Sequence, residues 1–235
     1  MIKELFEKKF KREENIKKKK LKEILSIAEN IIIKSKNKTY KVHPINALIK
    51  ALSYKAQQDF LFDLYSNEEN SQLGGRLFKS IPGVEVNGES IGKIENNYKG
   101  KINIARDNII SGPWNKGRFI NTIINIGEEC SWGEWKQDLN NHFINYYQPL
   151  NLYLVTNGNH SIACGILKHE GEITNNISHY NLSDYYDYIF FDGINYKAIE
   201  GCNETIKIYQ DEEIIFEIGV IFEIGRLIEK YEIDL

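Results

Sequence analysis

Residues 155–165, "VTNGNHSIACG", place polar and ionisable side chains around a glycine, between two apolar segments. Gly158 follows a strand-like stretch, and Asn159, His160 and Ser161 precede a short apolar stretch with helical spacing. Glycine permits backbone conformations that a Cβ would block, and the first turn of a helix offers unpaired N–H groups and about half a positive charge. The segment therefore predicts a phosphate-binding turn, with His160 placed to donate to an anion or to move a proton.

A second candidate lies in "DLNNHFIN", where Asp138 precedes His142. A hydrogen-bonded structural histidine is one interpretation of His142. The alternative is that Asp138, His142 and His160 converge across adjacent strands, because carboxylate and imidazole groups suit a divalent metal ion or a general base. Both interpretations stay open at the level of sequence.

The strand, the Gly-x-His-x turn and the short apolar helix resemble the ParB/sulfiredoxin-like superfamily over about residues 138–170. In that superfamily the turn binds the phosphates of a nucleotide, and its branches include CTPases, ATP-dependent sulfinic acid reductases, amino-acid kinases, and regulators and nucleases linked to DNA modification. The resemblance implies a small mixed sheet, ligand contacts from Gly158, Asn159 and Ser161, and a catalytic role for His160. The combination of "WNKGRF", "DLNNH" and "NGNHSIACGI" also resembles an uncharacterised bacterial family.

Two positions depart from the superfamily pattern. Asn159 stands where sulfiredoxins have the reactive cysteine, which argues against sulfinic acid reduction. Ser161 stands where an arginine is usual, so the bidentate phosphate grip of that arginine is missing. Arg118, with Lys116 and Lys168 as alternatives, is the candidate for the missing charge.

Four segments have the apolar spacing of helices, three or four residues apart. They are residues 15–33, a stretch from Pro44 to about residue 66, the segment "WNKGRFINTIINIG" and residues 211–232. In the third segment we expect Phe119, Ile120, Ile123 and Ile124 to face inward. For the last, we expect a solvated acidic face opposite a core stripe.

Strands and turns are predicted between these helices. Asn87-Gly88 and Asp192-Gly193 have the composition of hairpin turns. "HFINYY" and "LNLYLV", separated by Pro149, are short, aromatic and β-branched, which favours strands. Ser131 followed by Glu134 predicts a capping box and a short helix reaching about Asn140.

Together these elements predict an α+β protein: a small mixed sheet of a ParB/sulfiredoxin-like core, an N-terminal helical arm and a C-terminal helix. We expect a helical portion over residues 1–70, where Gly74-Gly75 then interrupt the chain, and a core over residues 71–235 that contains the NGNHS turn.

The composition favours a cytoplasmic protein. The three cysteines form no C-x-x-C pair, which is typical of a reducing compartment, and Cys164 is expected in the core. His43, His169 and His179 lack companion spacing and are expected at the surface or in caps. The start of the chain is charged throughout, and no apolar run approaches the ~18 residues of a membrane span.

Charge is unevenly distributed along the chain. Residues 1–41 contain 14 Lys/Arg and 6 Asp/Glu, whereas residues 170–235 contain 4 and 15. These opposite charges could attract each other within or between molecules. "KKKK" at 17–20 indicates a nucleic-acid contact or, more simply, a solvated helix face, and Trp132 and Trp135 indicate base stacking or packing at helical spacing.

The function predicted on these grounds is binding of a nucleotide or another phosphorylated small molecule, with Mg²⁺ the cofactor expected beside a nucleotide. NTP hydrolysis, phosphotransfer or nuclease activity in bacterial or phage defence would be its enzymatic forms. The alternative is a non-catalytic component of a larger assembly, which would bind nucleic acid through the basic arm, a protein partner or a second copy of itself. Walker, G-x-S-x-G and H-E-x-x-H motifs are absent from the sequence.

Overall fold

The computed structural model describes residues 2–36, 38–66, 73–92, 94–95, 98 and 100–235. Helices and short strands are interspersed along this part of the chain, and its largest sheet is mixed, which confirms the α+β class with helices at both ends. The helices are α1 (Ile2–Ser35), α2 (Ile45–Ser66), α3 (Leu73–Arg76), α4 (Lys116–Asn125), α5 (Asn159–Lys168) and α6 (Phe216–Lys230).

The strands are short, from two to six residues. They are β1 (Gly83–Val86), β2 (Glu89–Ser90), β3 (Ile94–Glu95), β4 (Ile102–Asn103), β5 (Ile109–Ile110), β6 (Phe143–Gln148), β7 (Leu152–Asn157), β8 (Glu172–Ile173), β9 (Ile177–Asn181), β10 (Ile189–Phe191), β11 (Tyr196–Ala198) and β12 (Ile206–Tyr209). The two Asx-Gly hairpins are confirmed: β1 pairs with β2 across Asn87-Gly88, and β10 with β11 across Asp192-Gly193.

A five-stranded sheet with the order β3-β9-β6-β7-β5 positions the NGNHS turn. Strands β6 and β7, predicted from their aromatic and β-branched composition, form its antiparallel centre, and β9 and β5 flank them in parallel. Side chains alternate across β7: Leu152 and Leu154 join the core around α6, whereas Tyr153 and Val155 join a second core under α5. The sheet is therefore buried on both faces, and β7 delivers the chain directly to α5.

The N-terminal helices share a core with the C-terminal helix. Leu21, Ala28 and Ile32 of α1 and several apolar residues of α2 pack in one cluster with α6. Lys18 lies 3.6 Å from Asp192, and Lys230 lies 3.0 Å from Glu29. The basic and acidic regions of the chain thus contact each other within one molecule.

Several local predictions are wrong. Residues 131–140 form turns and bends instead of a capped helix, because Trp135 packs on His142 across this segment. Trp132 is exposed, so the two tryptophans are not packed together at helical spacing. Ile120 and Ile124 are exposed on α4, whereas Phe119 is buried as expected.

Two helices differ from expectation in extent and burial. α1 begins well before residue 15, and Gly74-Gly75 lie inside the single turn of α3. Residues 211–215 precede α6, and that helix has no fully solvated acidic face, because Glu217 and Glu223 are each 7% exposed. Glu223 accepts hydrogen bonds from the Phe191 N–H at 2.7 Å and from Arg226 Nε at 2.8 Å. Buried carboxylates are stabilised by such partners.

Candidate functional site: the N-terminus of α5

The turn between β7 and α5 depends on Gly158. This residue is the N-cap of α5 and has φ +81° and ψ 21°, a left-handed conformation that L side chains rarely adopt. A Cβ there would lie 2.3 Å from His142 Cδ2 and 3.1 Å from the Asn141 carbonyl oxygen. Glycine is therefore required both by the backbone conformation and by the close approach of His142.

His142 occupies the inner side of the turn. It is 2% exposed, and its ring is stacked on Trp135 with 4.9 Å between centroids. Its Nδ1 accepts a hydrogen bond from the Asp138 N–H at 3.0 Å, so the proton of the neutral ring is on Nε2. Nε2 lies 2.6 Å from Ser161 Oγ and donates to it, while Ser161 Oγ donates to the Gly158 carbonyl at 3.1 Å.

This arrangement does not activate Ser161. A histidine that serves as general base needs a free lone pair facing the hydroxyl, whereas His142 presents Nε2–H to it. Burial lowers the pKa of His142, and the Asp138 carboxylate opposes that shift in part. The Asp138 carboxylate accepts from the Asn140 N–H at 2.9 Å, and only its backbone bonds to His142. The structural interpretation of His142 thus fits its contacts.

His160 occupies the outer side of the same turn and is half-buried. Its Nε2 accepts from the Asn115 N–H at 3.0 Å, so the neutral ring has its proton on Nδ1. Its edge faces Trp114 at 5.4 Å between centroids, and the Arg118 guanidinium lies 5.1 Å from the same indole ring. Burial, followed by the charge of Arg118, lowers the pKa of His160. His160 is consequently a neutral donor beside a guanidinium.

Asn159 and its partners join the turn to the segment before α4. The buried Asn159 Oδ1 accepts from the Gly112 N–H at 2.8 Å and from Ser111 Oγ at 3.1 Å. Ser111 Oγ also lies 2.7 Å from the Asn159 carbonyl oxygen. The Asn159 Oδ1 is thus occupied in positioning the backbone before α4.

The N-termini of α4 and α5 meet at this point. Asn115 caps α4, with its Oδ1 accepting from the Arg118 N–H at 2.8 Å, and its own N–H reaches His160 on α5. Neither helix has an acidic residue in its first turn. Lys116, in the first turn of α4, donates from Nζ to the Tyr65 carbonyl at 2.8 Å. Two helix dipoles and two cations therefore make this surface electropositive.

Not all candidates from the sequence are brought together. Lys168 is the last residue of α5, about 14 Å along the helix from its start, and it donates to the Ile126 carbonyl there. Within the part of the chain that the structure describes, no group of three His, Cys, Asp or Glu side chains is placed to hold a metal ion. Asp138, His142 and His160 therefore do not converge as a metal site.

The sequence reasoning missed Trp114, Asn115 and the Ser111-Gly112 pair. An asparagine directly before a helical apolar pattern is an N-cap signal, so Asn115 could have been recognised. The contacts of Ser111 and Gly112 with Asn159 join residues 47 and 48 positions apart, and no local pattern indicates them.

The fold and this turn define an α+β protein with an electropositive junction between two helix N-termini. The chain belongs to the family of unknown function DUF6710, whose family model matches residues 6–235. Comparison with curated proteins and with solved structures finds no match. In the described part of the chain, no helix has both the length and the apolar character needed to cross a membrane.

Proposed function

We propose that the protein binds a phosphate-bearing ligand, of which a nucleotide fits best, at the junction of the α4 and α5 N-termini. The observation that carries this proposal is the placement of Arg118 in the first turn of α4, beside the start of α5. A cation at a helix N-terminus opposes the helix dipole. A bound anion would compensate both the charge of Arg118 and the two dipoles.

The neighbouring side chains fit the rest of a nucleotide. His160 Nδ1–H is a donor that stays neutral near pH 7, because the pKa of the ring is lowered. Trp114 is 39% exposed, and an exposed indole provides a stacking surface for a base. Arg118 would supply the positive charge that an arginine of the turn supplies in the ParB/sulfiredoxin-like superfamily. Here that charge would come from α4 instead of from the turn.

The contacts favour binding over catalysis. Both histidines of the turn accept a backbone N–H with one ring nitrogen and have their proton on the other, so neither is poised as a general base. Cytoplasmic location, Mg²⁺ beside the nucleotide, and nucleic-acid or protein partners stay predictions, as does a role in defence.

Binding is tested by isothermal titration calorimetry with ATP, GTP, CTP and pyrophosphate, each with and without Mg²⁺. Arg118→Gln should weaken binding about ten- to a hundredfold, the range for losing a hydrogen bond to a charged group. Arg106→Gln is the matched control, since Arg106 is an exposed arginine outside this junction. Comparison of Trp114→Phe with wild type separates base stacking from phosphate binding, because pyrophosphate affinity should not change.

The proposal is wrong if none of these ligands binds, or if both arginine variants weaken binding equally. Thermal denaturation provides an independent reading, because a ligand at a hundred times its Kd stabilises the folded state by about 2.7 kcal/mol.

A further inference from the structure

A second concave region is bounded by α1, α2 and the segment leading into α6. It encloses a cavity of about 510 Å³, within the range of about 300–1,000 Å³ typical of small-molecule sites. Neither His160 nor Arg118 lines it. The cavity is therefore a separate feature from the α4–α5 junction.

Aromatic and aliphatic side chains form the apolar part of this cavity. Phe60, which is buried, lines it together with Phe216 and the exposed Phe10. Lys20 Nζ lies 5.3 Å from the centroid of the Phe216 ring, so one aromatic ring of the wall already contacts an ammonium group of this chain. Faces of aromatic rings attract organic cations in this way.

The charged lining is predominantly acidic. Six carboxylates line the cavity, against the two cations Lys17 and Arg76; the carboxylates are Glu13, Glu14, Asp59, Glu212, Glu213 and Glu217. Four of these acids are in ion pairs: Glu13 with Lys9, Glu213 with Arg76, and Asp59 and Glu217 with Lys55. Glu14 and Glu212 form no ion pair with any side chain that the structure describes.

One face of α1 contributes both kinds of lining. Glu13 and Glu14 lie three and four residues after Phe10, and Lys17 lies four and three residues after them, which places all four residues on a common face. Phe10 is 63% exposed on this face. A large apolar side chain beside carboxylates matches a ligand that has both an apolar body and a positive charge.

Glu217 adds a buried carboxylate to the wall. It is 7% exposed, and Lys55 Nζ, at 3.8 Å, is shared with Asp59. A buried carboxylate is stabilised by additional donors. An ammonium group in the cavity would be such a donor.

We propose that this cavity binds a small organic cation, a primary amine on an aromatic or aliphatic body. The apolar wall of phenylalanines would bury the body, and the excess of carboxylates would select the positive charge. The cavity volume suits a single small molecule.

The test is calorimetric titration of the full chain with phenethylamine and octylamine. Two comparison probes have the same phenylethyl body without the positive charge: 3-phenylpropionate, of similar size, and N-acetylphenethylamine, which is larger by an acetyl group. We expect at least one amine to bind, with at least tenfold weaker binding of the neutral and anionic probes. Binding of all probes alike, or of none, would overturn the proposal.

Paired variants locate the site. Glu14 and Glu212 are exposed, so Glu14→Gln combined with Glu212→Gln should leave the fold intact and raise the Kd of the amine about tenfold. Glu204→Gln, at an exposed acid outside the cavity, should leave the Kd of the amine unchanged. Arg118→Gln should also leave it unchanged, because that variant tests the nucleotide proposal instead. An unchanged Kd in the double variant would show that the amine binds elsewhere and would refute the assignment. Binding of a Lys- and Phe-containing peptide without binding of either amine would also refute it.

Discussion

His142 and His160 are both neutral imidazoles beside the start of α5, but their surroundings are opposite. His142 is enclosed by Trp135, Gly158 and Ser161, and both of its ring nitrogens are hydrogen-bonded within the protein. His160 uses Nε2 to accept from the α4 cap, and within the described chain no hydrogen bond from its Nδ1 is seen. The neighbours of each histidine, more than its residue type, therefore decide whether it stabilises the turn or faces a ligand.

The inner side should be the more sensitive to substitution, beginning with Gly158→Ala. The left-handed backbone costs about 1–2 kcal/mol for a residue with a Cβ, and overpacking against His142 adds about 1–3 kcal/mol. We expect the free energy of unfolding to fall by about 3 kcal/mol in urea denaturation. Gly133→Ala is an informative control, because Gly133 has φ +72° but nothing within 4 Å of its Cβ position. Equal losses in both variants would show that His142 does not press on Gly158.

His142→Ala should have the next largest effect. It leaves the Asp138 N–H and Ser161 Oγ without their partner and removes the stacking on Trp135, and an unsatisfied buried group costs about 1–3 kcal/mol. We expect a loss of about 2 kcal/mol, measured in the same denaturation experiment at pH 7.

The same variant tests the pH dependence of stability. The pKa of His142 in the folded state is lowered from its ordinary 6.5, so the unfolded chain takes up the proton first as the pH falls. Stability from this group is complete above pH 6.5 and is lost as the pH falls toward the folded pKa. Wild type should therefore lose more stability than His142→Ala between pH 7 and pH 5. A parallel pH dependence in both proteins would contradict the buried neutral state of His142.

The outer side should be the least sensitive in stability. His160→Ala removes one hydrogen bond at a half-exposed position, so we expect a change below about 1 kcal/mol with a marked loss of nucleotide binding in calorimetry. A loss of stability equal to that of His142→Ala, with ligand binding unchanged, would assign His160 a structural role as well.

Local chemistry made much of the fold predictable. Asn87, Gly88 and Gly193 have the positive φ that hairpin turns require and these residue types favour, and the apolar spacing around Leu52 and Phe60 marks α2 correctly. The Ser131/Glu134 capping box failed because tertiary contacts of Trp135 override a local signal worth about 1 kcal/mol. The solvated acidic face predicted for α6 failed for the same reason, because the tertiary structure buries Glu223, which accepts a hydrogen bond from Arg226.

The sequence by itself determined that Gly158 begins a helix after an apolar strand and that His160 lies in the first turn of that helix, because glycine conformation and hydrophobic periodicity are local properties. The parallel pairing of β6 with β9, the hydrogen bond from Asn115 to His160 and the occupied state of His142 depend on residues 19 to 45 positions apart. Such contacts form only when the whole chain packs, so the tertiary structure alone decided which histidine is buried and which faces outward.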